Sequence, residues 1–147
     1  MTTRSDIINI ARLYIDTPFA HAQRSPGVGL DCAGLIICVG RETGIFPPAF
    51  DVPPYSMEPD GHSMIALCDT YMDRVSQTDM RPGDIVVLRR DGHPQHLGIV
   101  SDHVNGGLGI IHASNSRSVV PPRVIETRLM FSRAQRFVAA YALRGIQ

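Results

Sequence analysis

The chain has no excess of charge of either sign, because its 147 residues include 14 Lys and Arg against 14 Asp and Glu. Proteins that bind nucleic acid or an anionic membrane surface usually carry a basic excess, so neither class of partner is expected. No apolar run approaches the roughly 18 residues that a membrane-spanning helix needs, so no membrane insertion is predicted. Residues 1–16 include Arg4, Asp6 and Arg12, and they therefore do not have the pattern of a secretory signal.

Cysteine is scarce as well. The three cysteines, Cys32, Cys38 and Cys68, are an odd number and contain no C-x-x-C pair. A disulfide framework and a structural zinc knuckle are both disfavoured by that count and spacing. Cys38 and Cys68 lie within apolar stretches and are expected to be buried, inert thiols. Cys32 differs from them, because it follows a glycine-rich loop at the predicted start of a helix.

The length fits one domain, residues 1–147, that buries a core without a disulfide or a metal. Helical patterns come first and strand patterns follow, which predicts the α+β class, with N-terminal helices packed on a C-terminal antiparallel β-meander. Asp31 stands at the N-cap of the second helix, and Gly44 follows its end. The patterns predict helices over 5–16, 32–42 and 63–77, strands over 85–88, 96–101, 108–113 and 137–143, a short strand or turn at 124–125, and a short helix over 127–136.

A proline-rich stretch, residues 45–60, separates the second and third helices, and we call it the crossing segment. It is short and keeps Phe46, Phe50 and Tyr55, so it is predicted to cross the domain rather than to link two domains. We expect its aromatic part, 46–59, or the nearby third helix, to contact a partner protein or to help roof a cleft. The alternative is that the three rings pack back onto the domain.

The position of Cys32 suits a nucleophile. A helix N-terminus presents unpaired N–H groups and a partial positive charge, which predicts a lowered cysteine pKa and donors for an oxyanion. A thiolate nucleophile also needs a base. His96 and His112 lie in adjacent predicted strands, so one imidazole can take the thiol proton while the other orients it. Position alone leaves a second interpretation open, in which Cys32 is a small buried hydrophobe that begins a core helix.

Metal and nucleotide chemistry have weaker support. Cys32, His96 and His112 are acceptable ligands for a three-ligand zinc site, but their spacing matches no closed zinc motif and no H-E-x-x-H is present. A phosphate-binding G-x-x-x-x-G-K-[ST] is also missing, and the isolated glycine pairs do not fall in a βαβ pattern. No metal site and no cofactor are therefore predicted.

Four segments in order resemble one family. The segment TPFAHAQRSPGVGLDCAGLIICVGRETG, residues 17–44, is similar to the nucleophile segment of the NlpC/P60 family, in which a glycine-rich loop precedes Asp-Cys-x-Gly-Leu. Residues 81–85 (RPGDI) resemble the turn that enters the family's first core strand. The family's strand that carries the general base is similar to residues 95–100 (QHLGIV). Its strand that carries the third site residue is similar to residues 110–113 (IIHA). The similarity is closest to the branch found in the tails of phages and gene-transfer particles.

The resemblance implies a papain-like fold and assigns roles to individual residues. Cys32 would be the nucleophile, His96 the general base and His112 the residue that orients His96. The matching loop places Phe19, His21, Asp31 and Ala33 at the cleft. The chain departs from the family pattern at Phe19, where the family often has a tyrosine whose hydroxyl assists catalysis, and at Ala33, where serine is common.

The implied activity is that of a cysteine endopeptidase that cleaves peptidoglycan stem peptides, at the γ-D-glutamyl–diaminopimelate bond or a nearby one, through a thioester and without a cofactor. The phage-tail branch implies tail-tip or hub proteins as partners. With no signal pattern and no wall-binding module, the protein is expected to be made in the host cytoplasm, carried in a virion tail, and active in the host periplasm or cell wall. Two alternatives remain, namely a non-catalytic structural or assembly component of a tail tip, and an amidase or acyltransferase on the same scaffold.

Overall fold

The structure is a computed structural model that describes residues 1–57, 60–90 and 93–147, without the side chains of 93–95. The helices precede almost the whole sheet, which confirms the predicted α+β class. The elements are α1 (Arg4–Leu13), β1 (Arg24–Ser25), β2 (Gly29–Leu30), α2 (Cys32–Thr43), α3 (Ser63–Tyr71), β3 (Met72–Val75), a 3-10 turn (Gln77–Asp79), β4 (Ile85–Arg90), β5 (His93–Asp102), β6 (Leu108–Ser114), β7 (Arg123–Arg128) and β8 (Arg136–Leu143).

The main sheet has six strands in the order β3-β8-β4-β5-β6-β7, and every neighbouring pair is antiparallel. The predicted meander holds from β4 to β7. It fails at β8, because the last strand lies between β3 and β4 instead of at an edge. The composition of β8 agrees with that central place, since consecutive residues such as Ala140 and Tyr141 are both buried, as in a strand covered on both faces.

The two faces of the sheet are covered differently. On one face, α1 and α2 bury apolar side chains against strand residues, and these form the larger core. Its members include Ile7, Ala11, Leu35, Val39, Ile85, Val87, Ile99 and Ile111. The opposite face carries a smaller cluster of Val86, Leu88, Val100, Ile110 and Ala140 under Met80, Leu129 and Phe137. Alternate residues of β4 therefore enter different cores, as the pleat of a strand requires.

Two predicted helices are wrong where strand pairing overrides the local pattern. The third helix ends at Tyr71, because the chain then pairs with β8, beginning with Met72 opposite Leu143. The predicted helix over 127–136 is absent, since residues 123–128 pair with β6 along their whole length and 129–135 are irregular. Strand pairing between distant segments has no counterpart in local periodicity. The Asp-Gly pair at 91–92, a sequence typical of a hairpin turn and predicted as one, lies outside the described residues.

The described part of the crossing segment has neither helix nor strand, and its aromatic rings pack inward. Phe46 stacks on Phe50 with 4.3 Å between centroids, and Phe50 meets Tyr71 of α3 edge to face at 5.0 Å. Arg41 of α2 donates from Nε to the Phe50 carbonyl oxygen at 2.7 Å. The interpretation that these rings pack back onto the domain is thus confirmed, while contact with a partner protein stays a prediction.

Candidate active site

A cleft of about 760 Å³ lies between the start of α2, the crossing segment, α3 and the adjoining ends of β4 and β5. Six of the seven residues predicted for the site line this cleft. They are Phe19, His21, Asp31, Cys32, Ala33 and His96. The seventh, His112, lies behind His96 and contacts it directly. The structure therefore brings together residues that are up to 93 positions apart, counted from Phe19 to His112.

The nucleophile candidate occupies the first turn of α2. Asp31 caps the helix by accepting the Gly34 N–H on Oδ1 at 2.7 Å, and Gly44 ends the helix in a left-handed conformation, as predicted. Gly34 is needed at this point, because a Cβ there would collide with the Gln23 carbonyl oxygen and lie 3.1 Å from the Arg24 guanidinium. The loop and the helix start are therefore in close contact, and Cys32 is left half-buried at the cleft.

The ionisation of Cys32 differs from the prediction. Burial raises the pKa of the Cys32 thiol to about 11, and the adjacent Asp31 carboxylate acts in the same direction. Hydrogen bonds from the N–H groups of Leu97, Ala33 and Cys32 itself lower that pKa, but burial outweighs them. The expectation of a lowered pKa is thus wrong. The resting Cys32 side chain is therefore a thiol, and a base would have to take its proton before the sulfur could attack a carbonyl carbon.

His96 and His112 form a buried, directly bonded pair. Nε2 of His96 lies 2.6 Å from Nδ1 of His112, and the rings meet edge to face at 4.8 Å. Burial lowers the pKa of His96 well below its usual value and that of His112 to about 4. The positive charge of Arg90 acts in the same direction on both pKa values. Both imidazoles are consequently neutral at pH 7, which is the form that accepts a proton.

The contact between the two rings selects a tautomer. His96 can take a proton on Nδ1 only when its own proton is on Nε2, where it donates to Nδ1 of His112. The proton of His112 is then on its Nε2, which is buried and has no hydrogen-bond partner among the described residues. An unsatisfied buried donor costs about 1–3 kcal/mol. In this arrangement the contact with His112 keeps His96 in the tautomer whose Nδ1 can accept a proton. The unsatisfied Nε2–H of His112 is the energetic cost of that arrangement.

A glycine makes room for the pair. Hydrogen-bonded pairing of β5 with β6 runs from Ile99 opposite Ile111 to Asp102 opposite Leu108, so it stops short of the two histidines. A Cβ at Gly98 would collide with the Ile110 side chain and come within 3.3 Å of the His112 Cβ. The His-x-Gly sequence at 96–98 is thus the local signal for this packing.

Asp31 lies on the cleft wall, and its carboxylate is saturated by the protein itself. Oδ1 accepts hydrogen bonds from Gly34 and from Arg24 Nη1 at 3.1 Å, and Oδ2 accepts from the Ala22 N–H at 2.7 Å and from the Tyr55 hydroxyl. Arg24 also pairs with this carboxylate electrostatically. The carboxylate therefore holds the loop against the start of α2, and its charge is already balanced.

Tyr55 lies in the segment that the sequence predicted to help roof a cleft, and it does line the cleft, but its bonds to Asp31 and Arg24 were not predicted. Its hydroxyl donates to Asp31 and accepts from Arg24 Nη2 at 3.0 Å, so the crossing segment is bonded to the residue before the nucleophile. Burial and the Asp31 contact raise the pKa of Tyr55, which keeps the hydroxyl protonated. The His21 ring meets the Tyr55 ring edge to face at 5.4 Å. The cleft lining thus includes a tyrosine hydroxyl, although Phe19 has none, and no local pattern predicts the contact of Tyr55 with Asp31.

In residues 1–57, 60–90 and 93–147, no group of three or more His, Cys, Asp or Glu side chains is placed to hold a metal ion. Within the same ranges, no helix has both the length and the apolar character needed to cross a membrane.

The NlpC/P60 family profile matches residues 16–138 of the chain. Among solved structures, the NlpC/P60 domain of the peptidoglycan hydrolase SagA is similar with a TM-score of 0.64 and 20% identity, over 97% of this chain and 100% of that one. An NlpC/P60 family protein from Bacillus cereus ATCC 10987 has a TM-score of 0.65 and 17% identity, over 94% and 39% of the two chains. An N-acetylmuramoyl-L-alanine amidase from Bacteroides uniformis ATCC 8492 has a TM-score of 0.58 and 12% identity, over 96% and 98%.

No curated protein is similar to the chain at a significant level. At identities of 20% or less, the solved structures show a shared fold. The chain spans the whole of the SagA domain but 39% of the Bacillus cereus protein, so it corresponds to one domain of the larger relative. The match of the family profile covers most of the sequence and includes Cys32, His96 and His112. The chain therefore belongs to the NlpC/P60 family and has its papain-like α+β fold, with N-terminal helices on a six-stranded antiparallel sheet.

Proposed function

We propose that the protein is a cysteine endopeptidase that hydrolyses peptidoglycan stem peptides at the γ-D-glutamyl–diaminopimelate bond or a nearby amide. The observation that carries this proposal is that His96, which is bonded to His112 behind it, lines the same cleft as Cys32 at the start of α2. Family membership and the likeness to a domain of a peptidoglycan hydrolase give additional support.

The reaction begins with a neutral thiol and a neutral imidazole. His96 Nδ1 takes the thiol proton as Sγ of Cys32 attacks the amide carbonyl carbon, which gives a tetrahedral oxyanion. N–H groups at the start of α2, such as that of Ala33, stabilise negative charge there. The carbon–nitrogen bond then breaks, His96 gives its proton to the leaving amine, and a thioester remains. Water loses a proton to His96, attacks the thioester, and releases the acid and the thiol.

His112 acts through His96 in this scheme. When His96 becomes an imidazolium, its Nε2–H remains bonded to Nδ1 of His112, so the ring keeps its orientation while Nδ1 carries the transferred proton. The surrounding burial destabilises the imidazolium, which favours rapid return of the proton to the leaving amine.

We further propose that the protein is a component of a phage or gene-transfer-particle tail. The resemblance of residues 17–35 to the phage-tail branch supports a protein made in the host cytoplasm, bound to tail-tip or hub proteins in a virion or gene-transfer particle, and active at the host cell wall. Mass spectrometry of purified particles from a producing strain tests this setting. We expect the chain in the particles at a few copies each, and its absence from particles would contradict a tail role.

An amidase is the second candidate, because the structure of an N-acetylmuramoyl-L-alanine amidase shares the fold. The two activities expose different amino groups in their products. The endopeptidase leaves L-alanyl-D-glutamate on the glycan and exposes an amine of diaminopimelate, whereas the amidase exposes the amine of L-alanine.

Digestion of purified sacculi tests the proposal and separates the candidates. We expect the wild type to release soluble peptides with a new diaminopimelate amine, and Cys32→Ala to release none while it keeps the fold. The matched control is Cys38→Ala, which removes a buried thiol outside the cleft and should leave the products unchanged. Failure of the wild type on both sacculi and defined muropeptides would contradict the proposal and favour a structural tail component.

A further inference from the structure

We propose that the Asn115 carboxamide binds the stem peptide beside the scissile bond, where Oδ1 accepts a backbone N–H of the substrate and Nδ2 donates to a carbonyl oxygen. This inference rests on the proposed function and adds a substrate-binding residue to it. Its basis is the place of Asn115, which is exposed and lines the same cleft as Cys32 and His96. The Asn115 side chain makes no hydrogen bond within the described part of the chain.

Most hydrogen-bond acceptors on the side chains of the cleft lining are already used by the protein. Both oxygens of Asp31 accept hydrogen bonds, and the Tyr55 hydroxyl is one of the donors. Asp60 accepts from Ser63 at the start of α3, and the Thr70 hydroxyl donates to a carbonyl oxygen of the same helix at 2.7 Å. Peptide N–H groups that enter a cleft need acceptors, because a buried donor without a partner is costly. Oδ1 of Asn115 is an acceptor that no described residue uses.

Two other polar side chains of the lining make no hydrogen bond among the described residues, but each is held by a ring contact. His21 meets the Tyr55 ring at 5.4 Å, and Tyr71 meets the Phe50 ring at 5.0 Å. Asn115 differs from both, because a carboxamide presents an acceptor and two donors in one plane. It therefore matches the N–H and the carbonyl oxygen of a peptide backbone together.

The loop around Asn115 is formed by its serines and not by the asparagine. Oγ of Ser114 accepts the Ser116 N–H at 3.3 Å, and Oγ of Ser116 accepts the Ser118 N–H at 3.3 Å. The hydroxyls of Ser116 and Ser118 also bond to each other at 2.8 Å. Asparagine in a turn commonly bonds the backbone two residues further on, and Asn115 makes no such bond. Its carboxamide is therefore not needed to shape the loop.

The backbone on either side holds this loop in a defined place beside the site. β6 carries His112 three positions before Asn115 and is paired with β7 up to Ser114. On the return side of the loop, the Pro122 carbonyl oxygen accepts the Phe19 N–H at 3.0 Å, so the loop is bonded to the segment that precedes the nucleophile. A group held in this way loses little conformational entropy when a ligand binds, which favours a substrate-binding role.

The test combines Asn115→Ala with N-methylation of the substrate, since each change removes one side of the same hydrogen bond. The ligands are the tetrapeptide L-alanyl-γ-D-glutamyl-diaminopimelyl-D-alanine and two analogues, methylated on the nitrogen of D-glutamate or of D-alanine. Each is titrated calorimetrically into Cys32→Ala, alone and combined with Asn115→Ala or Asn105→Ala. The Asn105 variant is the matched control, because it removes a carboxamide from an exposed turn outside the cleft. We expect methylation at one of the two nitrogens to weaken binding about tenfold more in Cys32→Ala and in the Asn105 combination than in the Asn115 combination.

Kinetics and thermal unfolding separate a substrate-binding role from a structural one. Asn115→Ala should raise KM on the unmethylated peptide about tenfold, keep most of kcat, and leave the melting temperature nearly unchanged, because the carboxamide makes no bond within the described structure. Equal effects of methylation in all three proteins, a clear fall in the melting temperature of Asn115→Ala, or no binding of any peptide would overturn the assignment. A wild type that binds the peptides but hydrolyses none of them would instead count against the proposed function, and the binding comparison would still decide the role of Asn115.

Discussion

The floor and the roof of the cleft are held in place by different means. The floor, made of the start of α2 with β5 and β6, places Cys32, His96 and His112 by helix capping and strand pairing. The roof, residues 45–57, has no regular structure and is held by side-chain contacts such as those of Arg41 with Phe50 and of Tyr55 with Asp31. Backbone ladders fix atoms more tightly than single contacts do. We therefore expect changes in the floor to affect the chemical step and changes in the roof to affect substrate binding.

The largest effect is expected when the base is removed. His96→Ala should lower kcat by about a thousandfold or more, since the variant lacks the imidazole that takes the proton of a thiol with a pKa near 11. His112→Asn should retain part of the rate, because an amide oxygen can still accept the His96 Nε2–H. Steady-state kinetics on a defined muropeptide measure both. Equal and complete loss in the two variants would show that His112 takes part in proton transfer itself.

Acidification should destabilise the floor through the histidine pair. The pKa of His112 is about 4 in the folded protein against 6.5 ordinarily, so below pH 6.5 the unfolded chain binds more protons than the folded one. Stability is therefore complete above that pH and is lost as the pH falls toward 4, by about 2 kcal/mol from this residue at pH 5. Urea unfolding at pH 7.5 and pH 5 should show a smaller loss for His112→Asn than for the wild type. The same loss in both would mean that His112 titrates normally.

A smaller effect is expected in the roof. Tyr55→Phe removes the hydroxyl that joins the crossing segment to Asp31 and Arg24, which should cost about 1–2 kcal/mol of stability. KM should rise several-fold while kcat changes little, because Asp31 keeps its hydrogen bonds from Gly34 and Ala22 and so still caps α2. The matched control is Tyr71→Phe, which removes another cleft hydroxyl that makes no hydrogen bond among the described residues. A fall in kcat with KM unchanged would assign Tyr55 to the chemistry instead.

The floor could largely be predicted from the sequence, because its signals are local. Asp31 and Gly44 mark the ends of α2, and the His-x-Gly pattern at 96–98 marks the paired histidines. The sequence predicted that the crossing segment helps roof a cleft, but it did not predict the contacts that hold the segment there, since the contact of Tyr55 with Asp31 joins residues 24 positions apart through an irregular segment. The position of β8 between β3 and β4 was not predicted either, because it depends on pairing between segments that are far apart in the sequence.

The pKa of Cys32 shows a second limit of local reasoning. The N–H groups at the helix N-terminus do favour the thiolate, as the sequence suggested, but the burial of the thiol has the larger effect on its pKa. Burial depends on what the rest of the chain packs against a residue. The motif therefore leads to Cys32 as the candidate nucleophile, but it does not predict the resting charge of the thiol.

The central claim is that Cys32 and His96 rest as thiol and neutral imidazole, and that the proton moves only during attack. The ultraviolet absorbance of thiolate, recorded as the difference between the wild type and Cys32→Ala from pH 6 to pH 11, tests it directly. The account predicts no thiolate signal from Cys32 at pH 7 and a signal that rises only near the top of that range, in line with a pKa of about 11. A full thiolate signal at pH 7 that disappears in His96→Ala would contradict it, because the resting site would then be a thiolate–imidazolium pair.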